Sequence, residues 1–261
     1  MNPELSYGAK QATEEAPAPR NFFSRLIGVY FSPGETFPGM ANAPRALAPI
    51  IAITLLFGLS SVFLASRGVT WEKIADEQTQ KAVASGRMSE EQAAQQREGI
   101  SKMAPAMKII MPIAAAIWAV VMVFAFAGLA KLWGMMLGIE NKYMPLVSVT
   151  AYAMLAVYIV STAILVILIF IKPIDEFDWT NPLGSNLAAL LTALGVEGLP
   201  SFVKGMLSYV DVFYIWKVVL IAIGCAAVSQ KLKTSSAMVH AGIVACVIAL
   251  IGGALAALGG A

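Results

Sequence analysis

Few side chains in this sequence could do chemistry, and they gather in its last third. Asp211 and Lys217 lie in SYVDVFYIWKVV, His240 is the only histidine, and Cys225 and Cys246 are the only cysteines. A carboxylate, an amine, an imidazole and a thiol could transfer protons, attack as nucleophiles or ligate a metal, yet each has a simpler role open to it. His240 has no second imidazole for a zinc site and no nearby Glu for an HExxH arrangement, so it reads as a polar packing residue. There is no GxSxG elbow and no pair of carboxylates within an apolar run for an aspartyl dyad or proton relay. The two cysteines sit in apolar runs, where a thiol packs as a small apolar group, and they report no redox compartment. Lys217 follows Asp211 by less than two helical turns, and its long stem can snorkel to the membrane surface beside Tyr214 and Trp216 as an interfacial anchor. These residues give no catalytic, metal or cofactor site.

The elements that must position them are membrane helices. Of 261 residues, 58% are hydrophobic and 13% charged, about half the charged share of a soluble domain. Crossing a hydrocarbon core takes roughly 20 apolar residues, and the windows 46–65, 109–130, 144–171 and 237–258 reach that length without one Asp, Glu, Lys or Arg. A fifth span is read over 212–230, which contains Lys217. Residues 1–20 are polar and read as a disordered arm without a cleavable secretory signal, so span one directs insertion. A net charge of +2 gives no argument for nucleic acid as a partner.

Lys and Arg are retained on the cytoplasmic side of short loops. Lys131 and Lys142 lie between spans two and three, and Lys231 and Lys233 between spans four and five. The 172–210 loop holds only Lys172 and Lys204, against several acids. The N-terminus is therefore expected inside. The long 67–108 loop, with seven basic and six acidic residues, speaks against this but is too long to weigh heavily.

That 67–108 loop reads as a helical outer insert: two short polar helices joined by a turn at Gly86, the second opened by a capping box of Ser89 and Gln92. It is a solvated spacer or a docking surface. In the 172–210 loop, SNLAALLTALG is too short to span and reads as an interfacial or re-entrant helix, or a lid over the bundle. In the last span, Ala241, Ala245, Ala249, Gly253 and Ala257 recur every fourth residue, a packing seam for another span or a second protomer. Ala115, Ala119 and Ala127 of span two offer a facing surface. Before span one, NFFSRLIGVYFSPGETFPGM forms an amphipathic aromatic helix stopped by Ser32, Pro33 and Gly34, with Phe37 returning to the interface. It either lies in the headgroup plane or packs against the inner ends of the bundle.

The order of these features resembles the Yip domain family, known as partners of Ypt/Rab-type GTPases in eukaryotic secretory membranes. The family's arm before span one ends in a Pro-x-x-Thr-Phe element, matched here by Pro33, Thr36 and Phe37. Its aromatic start of span three is matched by VSVTAYAML with Tyr152, and its start of span four by Asp211, Phe213, Trp216 and Gly224. The resemblance implies a five-span, N-inside domain over 21–258. Residues 1–20 lack the Asp-Leu-Tyr-Gly-Pro motif of the trafficking members, so GTPase binding is not carried over. The long charged insert looks more like prokaryotic relatives, which implies a bacterial inner (plasma) membrane.

The expected protein is thus an all-α integral membrane protein: five transmembrane helices in a bundle, an interfacial amphipathic helix in front, a helical outer insert and a short helix before span four. Its expected role is a non-catalytic membrane organiser that recruits partners or shapes lipid, or else a transporter or channel for a small uncharged solute or lipid. The expected partners are the lipid bilayer and a second copy or other membrane proteins.

Overall fold

The structure is a computed structural model describing residues 21–259 apart from 85, 180, 197 and 230, so the polar arm over 1–20 lies outside the described residues. Helix α1 (Phe22–Phe31) begins where the Asn21 side chain accepts a hydrogen bond from the Ser24 amide at 2.8 Å. Pro33 ends nothing more than that helix. It opens the short helix α2 (Pro33–Thr36) at a position whose N–H has no helical partner to lose, and α3 (Gly39–Asn42) follows. The apolar run then forms α4 (Leu47–Ser66), and α5 (Trp71–Ala84) leads to a turn in which Gly86 takes φ 71°.

Helix α6 (Glu90–Met136) corrects the expectation of two free-standing polar helices in the insert. The second continues without a break into the next apolar run, giving one helix of 47 residues. It begins at the expected capping box, with Ser89 Oγ accepting from the Gln92 amide at 3.2 Å and Gln92 Oε1 accepting from the Ser89 amide at 3.0 Å. Pro105 and Pro112 lie inside it. Each removes one ladder hydrogen bond, but the Ala, Gln, Glu, Lys and Met around them are strong helix formers and carry the helix through.

The remaining helices are α7 (Tyr143–Ile171), α8 (Leu187–Ala193), α9 (Ser201–Leu207), α10 (Val212–Val228) and α11 (Thr234–Gly259). Among the described residues the 172–210 loop thus holds a one-turn 3-10 helix (Ile174–Glu176) and two short α-helices where one helix was expected; Lys204 breaks the apolar pattern over α9. Among the described residues four helices, α4, α6, α7 and α11, are long and apolar enough to cross a membrane. Helix α10 has 17 residues, about 26 Å at 1.5 Å per residue. Among the described residues there is no strand, only an isolated bridge between Asn186 and Asp211.

Helix α7 is the centre of the bundle. Every residue from Pro145 to Val157 is buried, which requires neighbours on all sides; α1, α3, α4, α6 and α10 supply them. Ala119 and Ala127 belong here, packed with Ile53, Leu146 and Ala151, so they do not face the last helix. Helix α11 stands at the rim against α9 and α10. Gly253 lies against α9, where a Cβ would be 2.7 Å from the Phe202 carbonyl oxygen, while Ala241 packs with Ala222, Ala226 and Ala237, so the expected residues do not share one partner. Of the expected seam residues Gly253 is buried, Ala241, Ala245 and Ala249 are half-buried, and Ala257 is exposed. Spacing identifies a face that admits close approach, not the element that approaches.

At the far end of α7, the insert is clamped rather than free. Lys81 of α5 meets Glu77 at 2.8 Å and Asp178 at 2.9 Å, and Arg97 of α6 meets Asp76 at 2.7 Å. Partial burial disfavours the Lys81 ammonium, but its hydrogen bonds to Glu77 and Asp178 outweigh that and raise its pKa above the ordinary value.

Candidate functional site

Of the residues that carry the family resemblance, Phe37, Tyr152, Phe213, Trp216 and Gly224 come from three distant segments and meet at the seam between α7 and α10. Helices α1 to α3 form a compact hairpin against that seam. Arg25 donates from Nη1 to the Ala43 carbonyl at 2.9 Å, Tyr30 donates from its hydroxyl to the Ala156 carbonyl at 2.6 Å, and Thr36 Oγ1 donates to the Ser32 carbonyl at 2.9 Å. Phe37 does not return to the interface as expected; it is fully buried with Val29, Met40 and Tyr152. Phe213 and Trp216 pack on the same cluster, with the Tyr30 and Trp216 rings 6.0 Å apart. Gly224 completes the seam, because a Cβ there would collide with the Val149 side chain. The hairpin is therefore packed on the bundle, and it is also amphipathic. Phe23, Ile27 and Phe31 are 70%, 58% and 83% exposed on its outer face, while Arg25, Gly28 and Val29 are buried on the inner one.

Asp211 has a local task. One carboxylate oxygen accepts from the Tyr214 amide at 2.8 Å, capping α10, and the other accepts from the Ser185 hydroxyl. Paired backbone bonds, Leu187 amide to Val210 carbonyl at 2.9 Å and Val212 amide to Ser185 carbonyl at 3.3 Å, hold the loop to the start of the helix.

Lys217 overturns the expectation of a snorkelling anchor. It is 9% exposed, and its Nζ lies over three aromatic rings, 4.6 Å from the centroid of Phe126, 4.9 Å from Tyr214 and 5.9 Å from Tyr158. Those rings come from α6, α10 and α7. Beside the cage lies a cavity of about 270 Å³ walled by Tyr158, Ser161, Asn181, Asp211, Tyr214 and Lys217. No carboxylate or hydrogen-bond acceptor pairs with the ammonium among the described residues. Cation–π contacts contribute about 0.5–2 kcal/mol each. Burying an ion costs several kcal/mol, more than the rings reliably return. Among the described residues the Tyr214 hydroxyl is also buried without a partner.

The other candidates do not join this cluster. His240 lies 6.2 Å from Trp133 between ring centroids and lines a narrow apolar groove between α6, α10 and α11. Cys225 and Cys246 are free thiols, one half-buried and one exposed. Among the described residues no three His, Cys, Asp or Glu side chains gather as a metal site would need. Sequence reasoning missed Phe126 and Tyr158; only Tyr214, three residues before Lys217 on one helix face, carried a local signal.

An all-helical chain with four long apolar helices and a buried central one is a multi-span integral membrane protein. It belongs to the Yip1 domain family, whose model matches residues 27–258 and so takes in most of the hairpin, every other helix and all the motif residues above. No curated protein and no solved structure matches the chain.

Proposed function

We propose that the protein is a non-catalytic membrane organiser whose N-terminal hairpin acts as a wedge in one leaflet. The observation that carries this reading is the two-faced α1: Phe23, Ile27 and Phe31 form an outward apolar stripe, while hydrogen bonds and buried Phe37 fix the hairpin to α7 and α10. A helix that displaces lipid on one side of the bilayer bends it, and buried apolar area sets how strongly it holds. The topology proposed with it has five spans. Helix α10 counts as the fourth because it runs antiparallel along α7, with Gly224 at Val149 and Lys217 at Tyr158. Lys131, Lys142, Lys231 and Lys233 put the N-terminus inside. The membrane is a bacterial inner membrane, and the partners are its lipids together with a second copy or other membrane proteins. GTPase binding forms no part of the proposal.

The second reading, movement of a small uncharged solute or a lipid, draws support from the cavity at Lys217, whose walls are part polar and part apolar. Reconstitution separates the two. Vesicles containing the purified protein are imaged by electron cryomicroscopy and assayed for solute flux and lipid scrambling. Deformed vesicles without flux, returning to spheres when Phe23, Ile27 and Phe31 are all replaced by Ser, support the wedge. Spherical vesicles with robust flux contradict it.

A further inference from the structure

The hairpin reading makes no use of the caged lysine, which goes beyond it and stands whether the protein bends membranes or moves solutes. The π faces of three rings attract a cation and give nothing to a neutral amine, but they do not offset the cost of burying it, so the charged form of Lys217 is left short of a partner. Its donors lack an acceptor. The one carboxylate on the cavity, Asp211, has both oxygens committed to the Tyr214 amide and the Ser185 hydroxyl, and turning to Lys217 would uncap α10. A second donor, the Tyr214 hydroxyl, is buried and unpartnered in the same wall. Asn181 contributes an amide to the rim.

A buried cation, a buried free hydroxyl and an amide around one polar space call for a ligand with several acceptor oxygens and a negative charge. The size narrows it further: about 270 Å³ is just below the range of about 300–1,000 Å³ found for drug-sized ligands. Asp211 on the same wall disfavours a second negative charge. We propose that this cavity binds a monoanionic phosphodiester, the headgroup of a phospholipid, with Lys217 as counter-charge and Tyr214 as hydrogen-bond donor. A lipid source is favoured by the walls themselves. Val157, Leu183 and Phe213 line the cavity beside its polar groups, and it opens between α7 and α10, two helices read as membrane spans, where the headgroups of surrounding lipid are at hand.

The test is titration of the full-length protein in non-ionic detergent with short-chain phosphatidylglycerol and, separately, with inorganic phosphate. Saturable binding of the lipid is expected, weakened at least about tenfold by Lys217→Met and retained in Lys217→Arg, as the loss of a charge-assisted hydrogen bond requires. Tyr214→Phe should weaken it by a smaller factor. Inorganic phosphate binding as tightly as the lipid would overturn the phospholipid assignment. Lys217→Met with unchanged affinity would overturn the site. Ser161→Phe, which fills the cavity from its half-buried edge and leaves the cage in place, keeps the test independent of how Lys217 variants fold. It should abolish binding with the melting curve unmoved, and binding that survives it contradicts the proposal.

Discussion

Two halves of the same helix pair, α7 with α10, are built in opposite ways. Toward the N-terminal end of α7 the seam is sealed: thirteen successive residues from Pro145 to Val157 are buried, and Gly224 brings the α10 backbone so close that Val149 leaves no room for a methyl group. Toward the C-terminal end, beginning at Tyr158, α7 is half-exposed, and Phe126, Tyr158 and Tyr214 stand around a buried cation beside a cavity with both polar and apolar walls. Small residues let helices close where lipid supplies no hydrophobic drive between them. Large rings around a charge hold them apart. Phe37, Tyr152 and Gly224 of the family's motif residues make structure in the sealed half, while Asp211 and Phe213 line the cavity of the hollow one. Both halves hold buried polar groups without a partner, Ser148 and Thr150 in the sealed one and Tyr214 beside Lys217 in the hollow one, but only the hollow half sets them on a cavity that a ligand can enter.

That contrast predicts unequal responses to substitution. Gly224→Leu should be the most damaging, costing about 3 kcal/mol or preventing accumulation of folded protein, since overpacking a closed seam forces backbones apart. Melting in detergent reads it. Lys217→Met should act in the opposite direction, raising stability by about 1–2 kcal/mol, because replacing a buried ion that lacks a partner with an apolar chain removes a desolvation cost. A destabilised Lys217→Met would mean that the cage stabilises its cation fully and the hollow half is as settled as the sealed one. Lys81→Met, at the exposed clamp to Glu77 and Asp178, should change stability by less than about 1 kcal/mol at moderate salt. A larger loss would show that the insert braces the hollow half.

Much of the fold is legible in the sequence because length and lack of charge are local properties. The window 46–65 became Leu47–Ser66, the window 144–171 became Tyr143–Ile171, and the capping box at Ser89 formed as written. What failed needed information from elsewhere in the chain. Nothing in the insert says that its second helix runs on through Pro105 and Pro112, because helix propensity has no term for where the membrane begins. Phe37 looks like an interfacial aromatic until Val29, Met40 and Tyr152 enclose it. Lys217 looks like an anchor until rings from α6 and α7 are placed over it, and those lie 91 and 59 positions away in the sequence (217 − 126 and 217 − 158). The Gly253 seam was readable, its partner α9 was not.

The contrast between the halves is tested most directly by thiol accessibility in intact membranes. In a background with Cys225→Ala and Cys246→Ala, single cysteines are placed at Ser161, on the cavity wall, and at Ser148, in the sealed stretch. A small membrane-impermeant thiosulfonate is added on the side of the 172–210 loop. Rapid modification at 161 and none at 148 is the predicted result, and modification of both at similar rates, or of neither, would contradict a seam that is sealed in one half and open in the other.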